Sequence, residues 1–479
     1  MRSKGLSGGQ YKPLTDDQVM QIHQAALSVL ERTGVQVEES EARRLFQAVG
    51  ADVKDNRVRI SGSLVGDAVE WAPSRVLLAG RDSRWDLELE GARVHMGTGG
   101  AALHVLDLET ARLRPAVLQD VSDLARLVDA LDNIHFYLVP VYPTDVDKDV
   151  VDVKTYYAGL ANTAKHVQAG IYTVQGIHDT VTMCEEIAGG NKALRERPIV
   201  SFITSWMISP LLFATDVTTL LIETCRQRIP IVLSAAPMAG STAPATLAGM
   251  LAQLTAEQLA GLVLTQLACR GAPVLIGPIP ATADMTTGRY LAGSAEFGLT
   301  NAAMAQMAQF YGLPIYNSAG LTDAKIPDIQ AGFEKGMSAV LAALAGSNFI
   351  HHAAGMLENM SSVAAEQFVI DNDILGMAMR VLRGVEVNDT TLALDVIDEV
   401  GPGGHYLSSD HTINHMRSEF YYPSAVVDRK GWDEWQQDGG IDARERARQM
   451  ARDILANHEP ERIPHEVDAR IRERFKIGS

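Results

Sequence analysis

The run from Leu313 to Leu357, LPIYNSAGLTDAKIPDIQAGFEKGMSAVLAALAGSNFIHHAAGML, reads without interruption as strand, polar loop, apolar helix and second strand. The first apolar run closes on Asn317-Ser318-Ala319-Gly320, and the second, from Ser347 to Ile350, ends in His351-His352. Two strands joined by a helix pair in parallel, and a barrel of such units keeps its active residues at the C-terminal ends of its strands. From about Gln119 onward the same rhythm recurs. Short apolar runs at 136–140, 166–169, 199–204, 231–233, 273–276, 314–316 and 348–350 alternate with helix-like stretches, and a further run lies near 405–407. The expectation is an α/β chain: a (β/α)8 TIM barrel over 119–479, with a C-terminal helical extension.

Residues 1–118 have a different texture. Thr15 is placed to cap an amphipathic helix carrying Val19, Ile22, Ala26 and Leu30, Gly34 to stop it, and a second short helix follows at 40–49. From 52 to 113 short alternating runs such as Val58-Arg59-Ile60, Val76-Leu77-Leu78 and Val94-His95-Met96 are separated by Gly, Asp and Asn. This part reads as an N-terminal helical and β-rich appendage. At the other end, 441–457 reads as a charged amphipathic helix on the surface or at a subunit contact, which leaves room for a homo-oligomer.

An open doubly wound sheet is the competing architecture, but no GxGxxG opens a helix. The clusters Gly97-Thr98-Gly99-Gly100 and Gly401-Pro402-Gly403-Gly404 read as tight turns rather than phosphate cradles. A formal charge of −17 over 479 residues opposes nucleic acid and anionic lipid as partners. Three cysteines without a CxxC pair encode neither a disulfide frame nor a zinc knuckle, which points to a reducing cytoplasm. With no h-region at the N-terminus and no run of about eighteen uninterrupted apolar residues, neither export nor a membrane span is expected.

If the barrel is right, Tyr142, Tyr172, Trp206, Met238, Tyr316, Asn317, His351 and His352 share one rim. Aromatic faces attract a quaternary ammonium by cation–π interaction, although each ring alone could equally cap the core. Successive strand residues face opposite ways, so at most one of His351 and His352 enters the mouth while the strand continues. Zinc would need His405, His411 or His415 as further ligands, and with no thiolate nearby no metal is expected. Lys325, in Thr322-Asp323-Ala324-Lys325, could form a Schiff base if desolvated, or be ion-paired by Asp323 and Asp328. Glu296 and Glu366 could balance a cation or serve as first-turn acids on the helix dipole.

The stretches LTDAKIPDIQAGFEKG (321–336), GRYLAGSAEFGL (288–299), GPGGHYLSSDHT (401–412) and ILANHEPERIP near the C-terminus resemble the trimethylamine methyltransferase family, and the similarity runs through nearly the whole chain. That resemblance implies a (β/α)8 barrel that demethylates a methylamine and passes the methyl group to the cobalt of a separate corrinoid protein, in methylamine metabolism related to methanogenesis. Founding members carry pyrrolysine. This chain is written in the twenty standard residues, which fits the branch acting on quaternary amines such as glycine betaine, proline betaine and carnitine.

A quaternary ammonium is already activated, since attack of cobalt(I) on its methyl carbon expels a neutral tertiary amine. The protein then needs to position the substrate and exclude water. The expected substrate-binding set is Tyr172, Trp206 and Tyr316 as cage, Glu296 or Asp323 for charge balance, and His351 or Asn317 for a substrate carboxylate. The corrinoid is expected on the partner protein, with no cofactor held tightly by this chain. Two alternatives stand beside this reading: a Schiff-base lyase or aldolase using Lys325, and a non-catalytic betaine-binding protein.

Overall fold

The computed structural model describes residues 5–478. Its framework is eight strand-helix units in unbroken succession. The strands are β1 (Arg93–Thr98), β2 (Phe136–Leu138), β3 (His166–Gly170), β4 (Val200–Thr204), β5 (Ile231–Ala235), β6 (Val274–Pro278), β7 (Tyr316–Ser318) and β8 (Phe349–Ala354). The helices that follow them are α1 (Leu118–Asp129), α2 (Val151–Asn162), α3 (Val174–Ala188), α4 (Thr215–Gln227), α5 (Leu247–Ala268), α6 (Ala295–Tyr311), α7 (Ile329–Ala345) and α8 (Ala365–Arg383). Strands β2 to β6 pair in parallel in chain order, and β7, β8 and β1 form a second parallel row.

All seven expected strands from 136 onward are present. The run near 405–407 is not a strand: it lies in an exposed turn before the helix Asp410–Glu419. The strand beside β8 comes instead from the other end of the chain, where β1 pairs Phe349 with His95 and Ile350 with Met96. Thus a strand placed in the appendage on sequence grounds belongs to the main parallel array. Its run, RVHMGT, carries Arg, His and Thr among its apolar residues and therefore lacks the continuous apolar look of its neighbours.

Residues 15–72 form a separate layer, whereas the strands at 75–90 and 104–115 pack into the main core. Thr15 caps the helix Asp16–Ser28 with a capping box, and Gly34 ends the turn after it at φ 69°. The strand Val35–Val37 pairs with Leu212–Phe213 from the loop after β4. This layer lies on α5, whose apolar residues point in every direction because the helix is covered on both sides. By length and composition α5 could cross a membrane, yet 72% of that window is buried within the chain. At the C-terminus, Ala443–Asn457 packs Ala447 and Ala451 onto α8 and α1.

Candidate functional site

Inside the parallel array, one column of rings rises from β2 through β8 and β7. Phe136 stacks on Phe349 at 3.6 Å between centroids, Phe349 on Tyr316 at 5.6 Å, and Tyr316 on His351 at 3.7 Å. The column exists because β1 has no side chain opposite it. A Cβ at Gly97 would lie 2.4 Å from the Phe136 ring, and one at Gly99 would lie 2.6 Å from the backbone nitrogen of His352 and 3.2 Å from Nδ1 of His351. The glycine cluster is therefore neither a phosphate cradle nor only a turn; it makes room for the histidines.

Strand alternation should separate His351 from His352, but a bulge between Ile350 and Ala354 breaks the register and places His352 at φ 62°. The two rings consequently sit 3.9 Å apart, and Nδ1 of His352 meets Oγ of Ser318 at 2.8 Å. His351 is fully buried, and neither ring nitrogen has a hydrogen-bond partner. Burial pulls its imidazole well below the ordinary value, with His352 adding to the effect; burial and then the charge on Lys335 bring His352 down to about 3. Both rings are neutral near pH 7, each offering one N–H and one lone pair.

Beneath the bulge lies a buried ion pair. Lys335 of α7 reaches Oδ2 of Asp371 on α8 at 3.2 Å and donates to the carbonyls of Gly320 and Met356. Asp371 also accepts from the Gly355 amide at 2.7 Å and from Gln367 at 2.9 Å. Burial lowers the lysine and raises the carboxyl, while their contact opposes both shifts. The pair ties the ends of β7 and β8 to the helices behind them. Sequence reasoning missed it: Lys335 and Asp371 are 36 positions apart on two different helices, and nothing in either local pattern says that the two meet.

Nearer the solvent, Tyr142 and Tyr172 stand edge to face, 90° apart with centroids at 5.5 Å. Gly170 lets the Tyr172 ring fold inward, since a Cβ there would lie 2.9 Å from the hydroxyl. Asp152 of α2 holds this corner: it accepts from the amides of Tyr172 and Thr173 and from the Thr173 hydroxyl, at 3.1 to 3.3 Å. Burial pushes its carboxyl up to about 6 despite those bonds. Tyr142, Asp152, Gly170 and Tyr172 line one cleft with Gly100 and Val141, at the C-terminal ends of β1, β2 and β3.

Of the expected set, Tyr172, Tyr316 and His351 thus belong to the mouth or the ring column below it. The others are elsewhere. Trp206 is 0% exposed, wedged between Phe213 at 4.6 Å and the space left by Gly261, so it serves the contact between the N-terminal layer and α5. Asn317 faces outward and donates to the Asn301 carbonyl of α6 at 2.7 Å. Glu296 is an exposed first-turn acid of α6. Asp323 is half-buried, accepting from the amides of Ala292 and Gly293, with burial and the nearby Glu334 raising its carboxyl. Glu366 pairs with Arg444 at 3.3 Å. Lys325 is exposed and donates to the Asp323 carbonyl at 2.8 Å, so nothing desolvates it as a Schiff-base nucleophile requires. His411 and His415 are neighbours on one helix, and among the described residues no group of three His, Cys, Asp or Glu side chains could hold a metal ion.

The family model described as trimethylamine methyltransferase (MTTB) matches residues 5–476. Trimethylamine methyltransferase MttB of Desulfitobacterium hafniense (strain DSM 10664 / DCB-2) is 37% identical over 470 residues, covering 98% of this chain and 93% of that protein. Glycine betaine methyltransferase of D. hafniense (strain Y51) is 32% identical over 464 residues, covering 96% of each. Trimethylamine methyltransferase MttB1 of Methanosarcina mazei is 36% identical over 466 residues, covering 95% of this chain and 92% of that protein.

Proposed function

This chain belongs to the trimethylamine methyltransferase family and is a methyltransferase, and on that premise we propose that it takes a methyl group from a betaine-type quaternary amine and delivers it to the cobalt of a separate corrinoid protein. The observation that carries the substrate reading is the pair of perpendicular tyrosines at the mouth, beside a buried carboxylate. A quaternary nitrogen has no proton to donate, so its recognition falls to aromatic faces and negative charge rather than to hydrogen bonds. Tyr142 and Tyr172 supply the faces and Asp152 the charge. Uncharged imidazoles at His351 and His352 add no repulsion against a cation, and the unpartnered nitrogens of His351 suit a polar tail such as a substrate carboxylate or hydroxyl.

A reduced corrinoid would supply the nucleophile, and the departing amine leaves neutral, so this chain need not donate a proton to it. Its own residues hold the ammonium, keep water out and turn one methyl toward the opening. The same reading closes the eight strands into a (β/α)8 barrel. In support, a backbone hydrogen bond crosses each seam between the two rows, from Ile276 to the Pro314 carbonyl at 3.1 Å and from His135 to the Met96 carbonyl at 2.7 Å.

The test is formation of methyl-cobalt(III) from reduced corrinoid protein, followed by its visible spectrum, with glycine betaine, proline betaine, carnitine, choline and trimethylamine as donors. One quaternary amine should be turned over in preference to trimethylamine, and Tyr172→Ala should weaken its binding. Turnover of trimethylamine alone, or unchanged affinity in Tyr172→Ala, would overturn the reading.

A further inference from the structure

The interior face of β3 carries a chain of polar groups that the site described above does not use. Strand alternation turns Val167 outward, where it fills the space that Gly159 leaves on α2, and so turns His166, Gln168 and Gly170 inward. Ser201 of β4, in register with Gln168, shares that inner face. His166, Gln168 and Ser201 are all fully buried. Nδ1 of His166 lies 3.0 Å from the Ala79 carbonyl oxygen and Nε2 lies 2.7 Å from Oγ of Ser201, while Nε2 of Gln168 lies 2.8 Å from the same Oγ.

Matching donors to acceptors fixes the protons along this chain. A carbonyl only accepts, so Nδ1 of His166 carries the N–H. Burial draws the ring down to about 4 and keeps it neutral near pH 7, which leaves a lone pair at Nε2. Ser201 therefore donates its one proton to His166 and accepts from Gln168. The amide must turn its nitrogen to Ser201 and its oxygen away, and that buried oxygen has no hydrogen-bond partner. A buried acceptor without a donor is costly, and here two neighbours hold it in that state.

We propose that Oε1 of Gln168 receives a hydroxyl on the chain of the quaternary amine, so that the substrate is a hydroxylated one; this rests on the tyrosine-cage reading above. Gly170 is the next interior residue along the strand, about 7 Å nearer the mouth at ~3.3 Å per residue. The Tyr172 hydroxyl occupies the space that Gly170 leaves, since a Cβ there would lie 2.9 Å from it. Gln168 thus lies below the tyrosines on the same wall, with no side chain of β3 between them. An ammonium held at the tyrosines with one methyl toward the opening sends the rest of its chain down the barrel, toward the amide oxygen. A carboxylate cannot take that place, because it sets acceptor against acceptor; a hydroxyl donates. Gln168 is then a substrate-binding residue, and Ser201 and His166 position it.

The test is isothermal calorimetry on the full-length protein with three probes: tetramethylammonium, which has no tail, and carnitine and γ-butyrobetaine, which differ by a single hydroxyl. All three should bind, carnitine about tenfold more tightly than γ-butyrobetaine, the size of one hydrogen bond to a buried acceptor. Gln168→Met should abolish that preference. Ser201→Ala, which frees the amide to turn its N–H toward the tail, should reduce it as well, and it keeps the test open where Gln168→Met fails to fold by far-UV circular dichroism. Equal affinity for carnitine and γ-butyrobetaine with tetramethylammonium still bound, or a preference that survives in the folded variants, overturns the proposal and leaves the cage reading standing. No binding of any of the three overturns the cage reading and the proposal with it.

Discussion

Two aromatic pairs stand just beyond strand ends in this fold, both edge to face, and they have opposite fates. Tyr172, beyond β3, is 49% exposed beside Tyr142, whereas Trp206, beyond β4, is 0% exposed against Phe213. The difference lies in what the chain does next. After Tyr172, Thr173 caps α3 at once, which leaves the ring at the rim. After Trp206 the chain makes a hairpin, Met207–Ile208 with Leu212–Phe213, whose second strand pairs with Val35–Val37 and draws the tryptophan under the N-terminal layer. An aromatic at a strand end stays open at the rim only where no other layer claims its face.

The contrast is broken most severely at Trp206. Trp206→Ala should cost about 3–5 kcal/mol of stability, because the indole fills the space over Gly261. It should leave amine affinity of the folded protein unchanged. Denaturant unfolding and calorimetry on the same samples would decide, and a variant that loses affinity while keeping its stability would return Trp206 to the site. Lys335→Met should cost a similar amount, about 3–5 kcal/mol, by leaving Asp371 charged and unpaired at 0% exposure. Lys335→Met combined with Asp371→Leu should recover much of that loss, and a double variant no better than the single one would deny that the pair acts as a unit.

Tyr172→Ala should invert the pattern: a stability change below about 1 kcal/mol and a loss of quaternary-amine affinity of about tenfold, the size of a partly desolvated cation–π contact. Tyr142→Ala should behave alike. If Tyr172→Ala instead destabilised the fold as Trp206→Ala does, the exposed ring would be a packing residue and the distinction would fail.

These pairs also mark what could be read in advance. Strands β2 to β8 were legible because both faces of each are covered and the runs are mostly apolar, in regular alternation with helix-like stretches. Strand β1 was not, since its inward positions are His95 and Gly97, residues chosen to make room for rings contributed some 40 and 250 positions away. The bulge at His352 was invisible for the same reason: what permits it is Gly99, across the interior. Tyr172 was legible as a residue just beyond a strand's C-terminal end; Tyr316 was not, since β7 begins at it, and His351 lies within β8. Trp206 and Asn317 had the same local signature, and only the tertiary layers that claim them, the N-terminal one and α6, set them apart.

The smallest effect is the one that most directly joins fold to chemistry. Asp152 has a carboxyl raised to about 6 by burial, so it loses its charge as pH falls through that value, and amine affinity should fall with it by a few-fold between pH 7 and 5. The sign for stability is opposite. A carboxyl whose value is higher in the folded chain than in the unfolded one favours the fold when protonated, so this group makes the protein more stable, not less, as pH drops from about 6 toward 4. Acid should thus weaken binding while Asp152 itself opposes unfolding, and titrating affinity and melting temperature together separates the two. Asp152→Asn should flatten the affinity profile; a profile that kept its acid limb in Asp152→Asn would assign the charge at the mouth to another group.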